Sequence, residues 1–173
     1  MLPHVILYNH RTRQGSCKHQ VMKYVRNNPL NIRYSEKNQW LGQTGQRNGF
    51  CVFSEEKFGW RAGFVLLKNY YKKGFRTVSQ IIHRFAPASE NPTSSYVSFV
   101  CDKLQQLGYE AYGVEFKDAA LDLGNDMVVV DLLLVMSMFE TGQKNQSSCI
   151  RHQLSEFVDK FKGDYVITRG IYE

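Results

Sequence analysis

Apolar residues recur at intervals of three and four along much of the chain, the spacing that lines one face of an α-helix. In "EKFGWRAGFVLLKNYYKKG" they are Trp60, Phe64, Leu67 and Tyr71, and Gly74 stands where that helix should end. "TVSQIIHRFA" sets Val78, Ile81, Ile82 and Phe85 on one face, with Thr77 placed to cap its start and Pro87 to stop it. "NPTSSYVSFVCDKLQQLG" carries the pattern through Tyr96, Val97, Val100, Cys101, Leu104 and Leu107; Thr93 is placed to cap the start near Pro92, and Gly108 to end it. Ile150, Leu154, Phe157, Val158 and Phe161 predict a further amphipathic helix before Gly163. The run from Met127 to Phe139 is different, because it is apolar nearly all round, the mark of a helix buried on most sides, with Asn125 or Asp126 to cap it. The Asn-, Gly- and Gln-rich stretch "VRNNPLNIRYSEKNQWLGQTGQRNGFCVF" predicts loop with short strand-like pieces, "NGFCVF" the best of them. "GYEAYGVEF" fits a loop or a short strand. The expected fold class is mainly α (α+β).

The buried run delivers a glutamate, Glu140, into its last turn. The negative end of the helix dipole and partial burial both favour the neutral carboxyl, the form a general acid needs. The plain alternative is a solvated side chain beyond the helix end. Asp131, in the middle of the run, is expected to face an edge or a hydrogen-bond donor and is a weak candidate for a second acid.

Composition narrows the class. At 173 residues, 43% hydrophobic and 13% aromatic, the chain reads as one folded domain without low-complexity segments or repeats. The formal charge is +6, and no acid precedes Glu36, whereas Arg11, Arg13, Lys18, Lys23, Arg26 and Arg33 do, so residues 1–24 form a basic arm and this end suits an anionic partner. Nucleic acid is not the expected one, because no module interleaves basic residues with exposed aromatics. No secretory signal pattern opens the sequence, and the apolar run contains Asp131 and falls short of the roughly 20 residues of a membrane span, which predicts a soluble protein without membrane insertion. Cys17, Cys51, Cys101 and Cys149 lie far apart without a CxxC pair, and His4, His10, Cys17 and His19 are irregularly spaced, so neither a metal nor any other cofactor is expected. Cys101 falls on an apolar helical face as a small hydrophobe.

Glu140-Thr141-Gly142 at the end of an apolar helix is similar to the catalytic-helix ending of lysozyme-like peptidoglycan hydrolases, in which the Glu is the acid. The segment from Asn27 to Tyr71 resembles the Asn-Asn-x-x-x-Ile segment of bacterial and phage glucosaminidases, at Asn27, Asn28, Asn31, Ile32, Trp40, Gly42, Phe50, Phe53, Gly59 and Ala62. "APASENPTSSY" resembles a stretch of short phage virion-associated proteins and their bacterial relatives. In ordinary glucosaminidases the Glu helix precedes the Asn-Asn segment; here it follows by about 110 residues, an order that circular permutation would produce. The resemblance spans about residues 25–142 and implies a lysozyme-like helical core with a small β element and a catalytic helix near the C-terminus, followed by a helical extension over 143–173.

What the resemblance implies is a glycoside hydrolase or lytic transglycosylase acting on peptidoglycan, with the glycan held between the buried helix and the Asn-rich loops. Glu140 would protonate the glycosidic oxygen. Glu90 leads the candidates for a second carboxylate, against a simpler role complementing a helix dipole; Glu36, Glu55 and Glu56 follow, and substrate assistance or transglycosylation would need none. Asn28 and Asn31 would shape the loop or bind sugar, and Tyr34, Trp40 and Tyr96 would stack on sugar faces unless they are core aromatics. Such an enzyme without a signal peptide is expected to be made in the cytoplasm and to reach the wall, in the periplasm of a target cell, as a phage-type lysin or a type VI secretion effector; an injected toxin would have a cognate immunity protein. Two other classes remain: a non-catalytic virion or wall-binding protein of the same fold, and a cysteine amidase or peptidase built on Cys51 and His83.

Overall fold

The computed structural model describes residues 5–7, 24–89, 92–142 and 155–156. Among these residues four α-helices dominate: α1 (Glu56–Lys72), α2 (Val78–Phe85), α3 (Thr93–Gln106) and α4 (Asp126–Thr141). Two antiparallel two-stranded sheets accompany them, β1 (Val5–Leu7) with β4 (Tyr109–Ala111), and β2 (Gln43–Arg47) with β3 (Phe50–Phe53). The fold is mainly α with a small β content, as the periodicity predicts. No helix among the described residues is long and apolar enough to cross a membrane.

The chain divides into two compact units, one drawn from Met1–Ser16 and Leu67–Val135, the other from Cys17–Leu66 and Met136–Glu173, so α1 and α4 each contribute to both. In the first unit, α2 starts at Thr77, whose hydroxyl accepts from the Gln80 amide while the Gln80 side chain accepts from the Thr77 amide, a reciprocal capping box. Thr93 does not cap α3 as expected: it is the first residue of the helix, and its hydroxyl instead donates to the Ala86 carbonyl at 2.6 Å. Asn125 is the cap of α4, accepting from the Met127 amide at 2.9 Å. Its neighbour Asp126 pairs with Lys68 at 2.7 Å, and the same ammonium donates to the carbonyls of Leu123 and Gly124. That one lysine thereby fixes the chain entering α4. "YEA" resolves as a strand, and its partner, Val5–Leu7, lies in the arm that carries no sequence signal for one; Val5 faces Ala111 and Leu7 faces Tyr109. The core of this unit includes Val78, Ile81, Ile82, Val100, Leu104, Leu121 and Leu123, all 1% exposed or less. At about 1.5–3 kcal/mol for each large side chain removed from water, such burial dominates its stability.

The second unit is built on a hairpin. Asn48 and Gly49, with φ of 55° and 78°, form the two-residue connection from β2 to β3, and left-handed conformations at both positions match the twist of the flanking strands. β3 alternates half-buried Phe50 and Val52 with buried Cys51 and Phe53, so one face of the hairpin joins a core that includes Tyr24, Leu30, Ile32, Trp60 and Phe64. Along α4, Val128 through Met136 are all 6% exposed or less, as the all-round apolar run predicts. The amphipathic helix predicted around Ile150–Phe161 lies outside the described residues except for Ser155 and Glu156, which are helical.

Candidate functional site

Asn-Asn-Pro-Leu-Asn is a scaffold before it is anything else. Asn28 is 2% exposed, and both ends of its amide are used: Nδ2 donates to the carbonyls of Ile32 and Cys51, each at 3.0 Å, and Oδ1 accepts from the Ile32 amide at 2.9 Å. It therefore shapes the loop and is not available to a sugar. Asn27 likewise donates to the Phe53 carbonyl at 2.9 Å, tying the loop to the end of β3. The turn forces Arg26, Asn27 and Asn31 into the left-handed region, at φ of 64°, 52° and 46°. Asparagine tolerates that region better than most side chains, which explains two of the three; the arginine is strained there. Gly59 on α1 lets the loop approach, because a Cβ on it would stand 2.2 Å from the Asn27 carbonyl oxygen and 2.7 Å from Pro29 Cδ.

Asn31 then reaches the last turn of α4. Its Nδ2 donates to the Glu140 backbone carbonyl at 2.9 Å and to the Glu140 carboxylate Oε2 at 3.2 Å, joining residues 109 apart in sequence. The helix stops there for local reasons. The Thr141 hydroxyl turns back to the Ser137 carbonyl at 2.6 Å, and Gly142, at φ 68°, breaks the helical path. The small hydroxyl residue and glycine after Glu140 thus terminate the helix, and Asn31 satisfies a carbonyl the termination leaves over. The Glu140 side chain is half-buried, neither sealed in the core nor projecting wholly into water.

The other expected site residues fall out differently. Tyr34 is 41% exposed, its amide bonded to the Gly49 carbonyl at the hairpin tip. Trp40 is half-buried at the turn into β2, its carbonyl accepting from Gln43. Tyr96 is no sugar platform: it is 1% exposed in the core of the first unit, with its ring edge-on to Phe85. Glu90 lies outside the described residues, as do His4, His10, Cys17 and His19. Among the remaining carboxylates, Glu36 is exposed and Glu55 is exposed and paired with Lys57 at 2.9 Å. Glu56 is half-buried at the start of α1, where desolvation raises its pKa above the ordinary 4.5 and the hydrogen bond from Trp60 Nε1, at 2.9 Å, partly offsets the rise. The Trp60 ring in turn meets Tyr24 edge-on.

A cysteine nucleophile finds no support. Cys51 is fully buried, and burial pushes its thiol pKa up, away from the thiolate that attacks. His83, its proposed base, is exposed on α2 with Nδ1 against the Ser79 carbonyl at 2.8 Å. Cys101 is buried as expected, its pKa pushed up to about 11, chiefly by desolvation. Asp131 faces a donor and no edge: it is fully buried in the first unit and accepts from the Tyr109 hydroxyl at 2.8 Å.

Two arginines were visible in the sequence only as part of the acid-free, basic stretch before Glu36. Arg26 and Arg33 both bring their guanidinium carbons to 5.4 Å from the centroid of the Phe50 ring. A third, Arg61 on α1, is 6% exposed between buried Trp60 and Ala62. Nothing in the α1 periodicity distinguishes it from a surface position.

No family model matches this sequence. The chain is similar to "Protein P5" of Pseudoalteromonas phage PM2, at 35% identity over 109 residues, 57% of this chain and 68% of that protein. The chain belongs to the Protein P5 family. Membership ties it to a phage protein, and the chemistry of this member has to be argued from its own Asn31–Glu140 pair.

Proposed function

We propose that the chain cleaves the glycan strand of peptidoglycan, as a muramidase, glucosaminidase or lytic transglycosylase, with Glu140 as general acid and Asn31 as its positioning residue. The observation that supports this most is the double hydrogen bond from Asn31 to the Glu140 carbonyl and carboxylate. Two sequence pieces that separately resemble parts of wall hydrolases meet there, in one unit, despite their reversed order. A helix end braced in this way holds a carboxyl group at a fixed place, which proton transfer to a leaving group requires.

In this reading Asn31 occupies Oε2, and Oε1 carries the proton toward the glycosidic oxygen. As the C1–O bond breaks, the leaving sugar takes that proton and the other sugar develops oxocarbenium character. Water completes hydrolysis, or an intramolecular hydroxyl closes an anhydro ring in transglycosylation. Of Tyr34, Trp40 and Tyr96, Tyr34 is the one best exposed to contact sugar. The proposed site of action is the cell wall, reached as a phage-type lysin or injected effector.

Digestion of purified peptidoglycan by wild type and Glu140→Gln, with mass spectrometry of the soluble products, tests the proposal. Muropeptides released by the wild type and absent with the variant support it, and reducing or anhydro ends name the bond and mechanism. Equal release by both removes Glu140 from the chemistry. No release by either, from walls of several compositions, favours a non-catalytic wall-binding or virion protein.

A further inference from the structure

We propose that Arg26 and Arg33, gathered on the Phe50 ring, form a subsite for the free carboxylates of the peptide stems that decorate the glycan strand, an inference that rests on the peptidoglycan reading above. Three observations carry it. The first is convergence: two guanidinium groups lie at the same 5.4 Å from one half-buried ring, so two like charges cannot be farther apart than twice that distance. Each gains from the ring, yet like charges this close repel one another, and a carboxylate bound at either offsets that repulsion with charge-assisted hydrogen bonds.

The second is strain. Arg26 sits at φ 64°, where glycine or asparagine would be cheaper, and its buried Nε meets no hydrogen-bond acceptor among the described residues. A fold that needed only the turn would not require arginine there. The third is position. Arg33 follows Asn31 by two residues, so their Cα atoms are at most about 7 Å apart. It also bridges to Phe50 in the extension of the hairpin and is exposed. A group held by these arginines therefore lies beside a strand held at Glu140, where the strand's own covalent substituents are. The guanidinium plane matches a carboxylate in bidentate fashion, which a lysine would not.

The test uses co-sedimentation of the full chain, carrying Glu140→Gln to prevent digestion, with two preparations: intact sacculi, and the same sacculi stripped of stem peptides by an amidase. Arg26→Gln/Arg33→Gln is compared with its parent, with Arg33→Gln alone, at an exposed position, as the variant least able to disturb folding. The expected result is a loss on the order of tenfold in affinity for intact sacculi in the double variant. Parent binding should weaken as salt rises, and parent and variant should bind peptide-free glycan alike. Equal binding of parent and both variants to intact sacculi overturns the arginine subsite and leaves the glycan reading standing. Parent binding that is as tight to peptide-free glycan as to intact sacculi does the same. A parent that sediments with neither preparation overturns both readings.

Discussion

Two acids on the same helix have opposite fates. Asp131 is fully buried and accepts a hydrogen bond from a tyrosine hydroxyl that is itself buried, whereas Glu140, nine residues on, is half-buried and held by the amide of a loop asparagine. The first pair closes a polar gap in a core; its carboxylate meets no solvent and has nothing to act on. The second is held at a helix end by an asparagine whose neighbours Asn27 and Asn28 bind backbone. Depth and the nature of the donor separate a structural acid from a candidate catalytic one, and neither is visible from an acid's place in an apolar run.

Cross-substitution gives the largest contrast. Glu140→Gln should lower wall digestion by about a hundredfold or more, the usual contribution of a general acid, while leaving the urea midpoint nearly unchanged. Tyr109→Phe should do the reverse, costing about 2–3 kcal/mol by removing a donor from a buried carboxylate, with digestion per folded molecule retained. Loss of stability in the first variant, or selective loss of digestion in the second, would reverse the assignment of the two acids.

Gly59→Ala should come next. Its Cβ would strike the Asn27 carbonyl oxygen, a backbone atom that can yield only by shifting the left-handed Arg26–Asn27 turn. A cost of about 1–3 kcal/mol is expected in denaturant melts, accompanied by a fall in digestion because Asn31 rides on the same loop. Unchanged stability would mean that the loop is not as tightly seated on α1 as the contact implies.

How much of this was legible beforehand follows the physics of each feature. The helices were, because burial writes a three-to-four-residue period into Val78, Ile81, Ile82 and Phe85, and a capping box writes Thr77 and Gln80 beside it. β1 was not, because three residues are too few to show alternation and its register is set by Tyr109–Ala111, a hundred residues away. Glu140 stood out because a charge ends an apolar run, and the resemblance pointed to Asn31; the hydrogen bonds joining them depend on tertiary contact. Tyr96 and Asn28 misled for one reason: an aromatic or an amide on a pattern looks the same whether it faces a ligand or the core. The Arg26–Arg33 pair was diluted among other basic residues until the hairpin set the Phe50 ring against both.

Asn31 sharpens the comparison at smaller amplitude. Asn31→Ala should lower kcat by about tenfold with KM little changed, since it frees the acid without removing it. Asn31→Asp keeps the shape and tolerates the left-handed backbone, but sets a second carboxylate beside Glu140. Two adjacent acids share a proton, so the alkaline limb of the pH–rate profile should move upward. A loss of rate with an unmoved limb would leave Asn31 as a brace for the helix end alone.

The smallest effect concerns Glu56, whose place between the two kinds of acid can be read from stability against pH. Burial raises its folded pKa above the ordinary 4.5, so between the two values the native state binds more protons than the unfolded chain. Its contribution to stability is accordingly fully present below the unfolded value and is lost as pH rises through the raised folded one. Glu56→Gln retains an oxygen to accept from Trp60 Nε1 and cannot ionise. Urea midpoints measured from pH 4 to 7 should therefore show the variant gaining on wild type as pH rises, while the opposite slope from Glu115, lowered first by its hydrogen bond with Lys117, is common to both and cancels. A constant difference across that range would mean that Glu56 carries the same charge folded and unfolded, and that its burial beside Trp60 matters only as packing.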